Sequence, residues 1–211
     1  MKVAVVGCGA IGSPLVMQLL EDPAISELRV MDPDIIDLSN LPRQPWFEEQ
    51  DVGRNKADRL QDYSPARITA YAHRLTPRNS AALLGNADAV FDASDNWEAR
   101  RTIQRWSFIS GRPWIFASAL RTEGMAAFLS PETQCLYCLF GSLQQGPRCF
   151  EAGVLGPLTL AVAGQSLLLW QEYRENMGDP ARWPQGLFLV DGARQTVRKI
   201  GMKAVRCAHG S

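Results

Sequence analysis

Over the first two thirds of the chain, short apolar runs alternate with longer stretches that mix apolar and polar residues at helical spacing. Residues 2–6 (KVAVV) form a nearly unbroken apolar run, which predicts a strand buried on both faces. A glycine-rich turn follows, then a helix over 13–20 and a second strand over 28–31 that ends in Asp32-Pro33-Asp34. Residues 40–51 read as a loop, with Pro42 and Pro45, ahead of a polar helix from about 52 to 63. Further strands are expected at 68–72, 89–91 and 114–117, and helices at 80–84 and 96–109. This alternation predicts an α/β fold, a mainly parallel sheet with helices on both faces. From about Glu123 the pattern changes. A strand at 124–130 precedes an irregular segment at 135–148, a long helix at 158–173, and a hairpin pairing 188–191 with 196–200 around Gly192-Ala193. The expectation is one domain over residues 1–211, its parallel sheet extended by C-terminal antiparallel strands. The long helix is apolar nearly all round, so a second subunit is the economical cover for the side away from the sheet.

Composition narrows the function classes. Of 211 residues, 46% are hydrophobic, enough for a globular core. Lys+Arg and Asp+Glu number 22 each with no block of like charge, which argues against nucleic-acid or membrane-surface binding. The N-terminal MKVAVVGCGAIG has no signal-peptide cleavage pattern. The apolar stretch 154–170 is broken by residues such as Gly156, Pro157, Gln165 and Ser166, too polar for a bilayer. A cytoplasmic protein is expected. Five cysteines, an odd count without an export signal, direct attention to metal or thiol chemistry rather than disulfides.

Gly7-Cys8-Gly9-Ala10-Ile11-Gly12 follows the first strand and opens a helix, and Asp32 stands 20 residues beyond Gly12. In this setting the glycines permit a tight turn and close approach of backbone to phosphate, while Asp32 faces ribose hydroxyls: a Rossmann-like nucleotide site. Alone, this fingerprint suggests an NAD(P)-dependent oxidoreductase. Cys8 reads as a small apolar residue within the turn.

The rest of the chain points elsewhere. Asp32-Pro33-Asp34, Leu38-Ser39-Asn40-Leu41-Pro42-Arg43-Gln44, Gly53-Arg54-Asn55-Lys56 and Asp92-Ala93-Ser94-Asp95-Asn96 through Arg100 form a distinctive series. Cys135-Leu136-Tyr137-Cys138-Leu139-Phe140 and the run from Cys149 to Pro157 continue it. The series resembles the ThiF/MoeB/HesA family, bacterial relatives of ubiquitin-activating enzymes, in order from Val3 to Cys207. The resemblance implies an adenylyltransferase that uses ATP and Mg2+ to activate the C-terminal glycine of a ubiquitin-like sulfur-carrier protein with a Gly-Gly tail. It implies phosphate contacts from Arg43 and Lys56, a metal contact from Asp95, a ribose contact from Asp32, and support of the nucleotide loop by Asn40 and Gln44. Taken without the resemblance, Arg43 and Lys56 read as surface charges and Asp95 as a helix N-cap. Arg100 reads as a structural charge partner, and His73 as a surface or packing residue on a strand.

Cys149 aligns with the cysteine that, in the ThiF branch, forms an acyl-disulfide with its carrier, which implies a sulfur donor protein. Arg148 or a helix N-terminus near Gly153 would favour its thiolate. This branch, serving a ThiS-like carrier and the thiazole of thiamine, is the first reading. MoaD-like or natural-product carriers, and a non-catalytic carrier-binding scaffold, stay open beside it. Cys135 and Cys138 have the spacing of a zinc knuckle. Where the family has a second C-x-x-C, this chain has Cys207-Ala208-His209-Gly210, so a structural Zn2+ would draw on Cys135, Cys138, Cys207 and His209. A metal-free knuckle is the alternative. Family members also carry a preceding segment whose arginine reaches ATP in the partner subunit. The first strand here begins at Lys2, and Arg74, Arg121 and Arg148 are the arginines available in its place. A homodimer through the long-helix region completes the expectation.

Overall fold

Five parallel strands, β1 (Lys2–Val6), β2 (Glu27–Met31), β3 (Ile68–Tyr71), β4 (Ala89–Asp92) and β5 (Trp114–Leu120), make up one half of the sheet. Antiparallel β6 (Glu123–Leu129), β7 (Leu187–Asp191) and β8 (Thr196–Ile200) extend it in the order β3-β2-β1-β4-β5-β6-β7-β8. The computed structural model describes residues 1–141 and 153–201. The strands fall within a few residues of where the pattern of the sequence places them, including the β7–β8 hairpin.

Both sheet faces are covered. α1 (Gly12–Leu20), α2 (Lys56–Gln61) and the long α6 (Gly156–Glu175) pack on one side; α3 (Ser80–Leu84), α4 (Trp97–Ser110) and α5 (Leu136–Phe140) pack on the other. Alternate residues of β1 enter alternate cores, Val3 and Val5 into the first, Ala4 and Val6 into the second. That is why residues 3–6 carry no polar position. In the first core Phe128 is fully buried, its ring 5.0 Å from Tyr173 of α6 and 5.9 Å from Trp183. Burial of such a side chain contributes about 1.5–3 kcal/mol.

Three local expectations are corrected. The polar helix of 52–63 is only Lys56–Gln61, because Gly53 takes φ 91 and Asn55 caps the helix start; a 3-10 turn at Glu49–Asp51 precedes it. The loop of 40–51 likewise contains part of a 3-10 turn, Leu38–Arg43. The start of the segment read as irregular is helical, α5, with Leu136 inserted into the second core. On α6 the inner face is buried, while Leu160 and Leu168 on the outer face are 46% and 60% exposed. No helix among the described residues is long and apolar enough to cross a membrane.

The chain leaves β1 toward β2 and β3 on one side and later occupies β4 and β5 on the other. This reversal opens a crevice beyond the carboxyl ends of β1, β2 and β4, the place where open α/β sheets bind ligands.

Candidate nucleotide-binding site

The crevice is a cleft of about 1030 Å3. Its floor is the glycine turn between β1 and α1. Gly7 has φ 92, and a Cβ there would stand 2.6 Å from the Ala93 carbonyl oxygen. A Cβ on Gly12 would stand 1.8 Å from the Gly7 carbonyl oxygen, so the turn closes only without side chains. α1 begins without a side-chain cap or an acidic residue in its first turn, and Gly9, Ala10 and Ile11 line the cleft. Backbone N–H groups at such a helix start favour an anion.

The wall after β2 carries the nucleotide residues that the sequence singles out. Asp32 is 5% exposed and accepts from the backbone N–H groups of Cys8 at 2.6 Å and Asp34 at 2.8 Å. Burial raises its carboxyl above the ordinary range, and the nearby Lys56 ammonium opposes that rise. Lys56 is 6% exposed, and its Nζ lies 3.3 Å from Asp34 Oδ2. Arg43 ends the turn Leu38–Arg43 and donates to the Ser39 carbonyl at 2.8 Å. That turn abuts the start of α6, where a Cβ on Gly156 would lie 3.7 Å from Arg43 Cα. Gln44 is buried beside Gly9, and its Oε1 has no hydrogen-bond partner among the described residues. A buried acceptor without a donor is costly, and a ribose hydroxyl or ordered water suits it.

The wall after β4 is built differently. Asp92 is fully buried; its Oδ1 accepts from the Ser94 N–H at 3.0 Å and the Ser94 hydroxyl at 2.6 Å. Its Oδ2 is 3.7 Å from Arg100 Nε, and neither atom has a hydrogen bond among the described residues. Burial pushes the Asp92 carboxyl up to about 6, against the pull of Arg100. Arg100 also donates to the Ser94 carbonyl at 2.8 Å and Ser118 Oγ at 3.3 Å, and lies 5.0 Å from the ring centres of both Trp97 and Phe116. Thus Arg100 is indeed a structural charge partner. It holds the loop that presents Asp95, an exposed carboxylate on the cleft wall. Asp95 is not the helix cap: Asn96 Oδ1 accepts from Ala99 N at 2.8 Å and starts α4.

The fold therefore brings Gly7, Gly9, Asp32, Asn40, Arg43, Gln44, Lys56 and Asp95 to one cleft, with Gly12 just behind its floor. The set fits a magnesium nucleotide: a part-buried glycine backbone, two cations, an orphaned acceptor, and one carboxylate of the kind that shares Mg2+ with phosphate oxygens. His73 lies beyond the end of β3 and is exposed on the cleft wall beside Arg74, rather than on a strand. Arg121, at φ 53, forms a parallel bridge with Val154. The sequence reading missed Asn55 and Asp92. Gly53 followed by Asn55, a breaker and a capping residue inside the helix expected over 52–63, was the signal available for the first.

Cys8 is fully buried, and burial holds its thiol well above the ordinary range, in keeping with a packing role. The Cys135 and Cys138 sulfurs are 3.7 Å apart, close to the separation of about 3.8 Å that two tetrahedral ligands at 2.3 Å from Zn2+ would have. Cys149, Arg148, Cys207 and His209 lie outside the described residues. Among the described residues no three His, Cys, Asp or Glu side chains gather into a metal group.

A glycine turn at the switch point of a doubly wound sheet, with cations converging beside it, defines a nucleotide-binding α/β protein. The chain belongs to the ThiF family, whose model matches residues 1–204. It is an adenylyltransferase, as its curated relatives are named. It is 33% identical over 219 residues to the sulfur carrier protein adenylyltransferase of Thermus thermophilus, with 96% of this chain and 79% of that protein covered. It is 30% identical to the pig adenylyltransferase and sulfurtransferase MOCS3, with 97% of this chain but 46% of that protein covered. The probable adenylyltransferase/sulfurtransferase MoeZ of Mycobacterium tuberculosis is also 30% identical, with 77% and 44% covered. The chain thus spans less than half the length of the two relatives named as sulfurtransferases. In fold it is similar to E. coli MccB, with a TM-score of 0.77 at 19% identity, covering 97% of this chain and 64% of that one.

Proposed function

We propose that this adenylyltransferase acts on the C-terminal glycine of a ubiquitin-like sulfur-carrier protein, with MgATP as the adenylyl donor. The observation that carries the reading is the convergence of Lys56, Arg43 and Asp95 on the glycine turn within one cleft. In the reaction a tail carboxylate oxygen bonds to the α-phosphorus as the bond to the bridging oxygen breaks. Pyrophosphate leaves, and the tail is left as an acyl-adenylate. Negative charge grows on the phosphate oxygens, and Lys56 and Arg43 are the side chains to stabilise it. Asp32 holds the ribose and Gln44 the sugar side of the loop. Asp95 would hold Mg2+, which neutralises charge on the leaving group.

A ThiS-like carrier, feeding thiazole formation, is the substrate favoured by the surroundings of Cys149. In this reading Cys149 takes part in sulfur transfer from a donor protein. Cys135, Cys138, Cys207 and His209 would hold a structural Zn2+, a use supported by the spacing of the first two sulfurs. A homodimer would cover Leu160 and Leu168 on the outer face of α6. The protein would work in the cytoplasm.

Carrier-dependent ATP–pyrophosphate exchange tests the reaction. The wild type should exchange with a ThiS-like carrier faster than with a MoaD-like one, and Arg43→Ala, Lys56→Ala and Asp95→Ala should each lose about 100-fold or more. Exchange untouched by all three substitutions would sink the site. Cys149→Ser should retain exchange and lose carrier thiocarboxylate formation.

A further inference from the structure

We propose that Asn55 is a positioning residue for Lys56, acting through both ends of its carboxamide. The inference rests on the nucleotide reading of the cleft. Asn55 Oδ1 accepts from the backbone N–H groups of Ala57 at 2.8 Å and Asp58 at 3.2 Å, which starts α2. Its Nδ2 donates to the carbonyls of Asp32 at 2.9 Å and Asp34 at 3.1 Å. One side chain therefore ties the first turn of α2 to the turn that follows β2. The Lys56 N–H closes the same unit by donating to the Asp34 carbonyl at 3.0 Å. Ile36 N–H to the Arg54 carbonyl at 2.8 Å, and Gly53 N–H to the Ile36 carbonyl at 2.9 Å, continue the seam on its far side.

The chemistry of the clamp is specific to asparagine. Aspartate, serine and threonine cap helices, but none carries an acceptor together with an amide bearing two N–H donors. A cap alone would explain the Oδ1 bonds and leave the Nδ2 bonds without a purpose. Those bonds fix the backbone of the acidic turn relative to Lys56. Lysine has four rotatable side-chain bonds and a strongly hydrated head, so a buried ammonium at 6% exposure needs its origin and its counter-charge held together. The clamp does this: it sets the origin of the Lys56 chain within reach of Asp34 Oδ2, 3.3 Å from Nζ, at the cleft wall. Asn55 itself does not line the cleft, so it acts on nucleotide through residues that do: Lys56 by this proposal, with the Asp32 turn as the other route, which the test separates.

The test is a double-substitution cycle read by equilibrium binding of a fluorescent ATP analogue, with no carrier present. Asn55→Asp keeps the cap and turns the donor end into a carboxylate facing two carbonyls. In the wild-type background it should weaken the analogue by about tenfold, and in steady-state exchange it should raise KM for ATP more than it lowers kcat. In a Lys56→Ala background the same change should weaken binding by less than about twofold, the mark of two residues acting as one unit. Equal weakening in both backgrounds would overturn the proposal, as would wild-type affinity in Asn55→Asp. Asn55→Ala, which loses the cap as well, is compared by thermal melting, and the cap-retaining Asn55→Asp is decisive if Asn55→Ala does not fold. A wild type that binds the analogue but gives no carrier-dependent exchange would overturn the carrier reading and leave the Asn55 cycle fully informative.

Discussion

Two acid–base pairs guard the two walls of the cleft, and they are opposites. After β2, the base is buried and the acid is open: the Lys56 side chain is 8% exposed and that of Asp34 62%. After β4, both are buried, Arg100 at 9% and Asp92 at 0%, and Arg100 is further locked by Ser94, Ser118 and two aromatic rings. A solvated carboxylate loses little when its lysine turns to a phosphate, because water takes over the solvation of its charge. A buried pair cannot separate without stranding a charge in a low-dielectric interior. On the proposed reading the first pair is a working contact with a resting partner, and the second is scaffolding.

Removing the fixed base should have the largest effect. Arg100→Ala leaves Asp92 buried opposite nothing and should cost about 3–5 kcal/mol, lowering the melting temperature by about 10 °C. Lys56→Ala, which leaves only a hydrated Asp34, should move the melting temperature far less while it abolishes exchange. Equal losses of stability in the two variants would erase the distinction between the walls.

The pH response separates them next. The Asp92 carboxyl titrates at about 6 in the folded protein, above its unfolded value of about 3.9, because burial outweighs the pull of Arg100. Between these values the folded state holds the extra proton. Stability should therefore fall as pH rises from about 4 through 6, by up to about 3 kcal/mol, and return on acidification through that window. Urea unfolding at pH 4, 5, 6 and 7 measures the slope, and Asp92→Asn should flatten it. An unchanged slope in Asp92→Asn would assign the titration to other groups.

The smallest effect belongs to the open acid. Asp34→Asn keeps an acceptor for the buried Lys56 Nζ and should cost about 1–3 kcal/mol, less than Arg100→Ala. Nucleotide affinity should shift a few-fold, with the difference shrinking from low to high salt as screening weakens the exposed charge. Isothermal titration of nucleotide at two ionic strengths reads this directly; a large, salt-independent change would mean that Asp34 touches the ligand.

Much of this architecture is legible along the chain. The nearly unbroken apolar run of β1 announces a central strand, because residues facing both cores must be apolar. The order of turns, from Gly7 through Asp32, Arg43, Lys56 and Asp95, sets out along the chain the residues that the fold brings to one cleft. The end of α2 at Gln61 was less readable, since residues 62 and 63 carry no breaker and helix propensity is a weak guide at boundaries. Asp95 as a helix cap was wrong for a similar reason: Asp and Asn cap almost equally well, and only the backbone turn selects Asn96.

The sequence by itself determined the parallel sheet, its antiparallel extension and the residue types that surround the phosphate turn, because hydrophobic period and glycine position are local properties. It assigned Lys56 and Arg100 different roles but named no acid as the partner of either. Only the tertiary structure decided which lysine carries an open partner, which arginine is sealed with its acid, and that Asn55 bridges β2 to α2. Those distinctions depend on solvent exposure and, for Asn55 and Lys56, on contacts with residues 21 to 23 positions away, and charge energies change several-fold with the depth at which the fold places them.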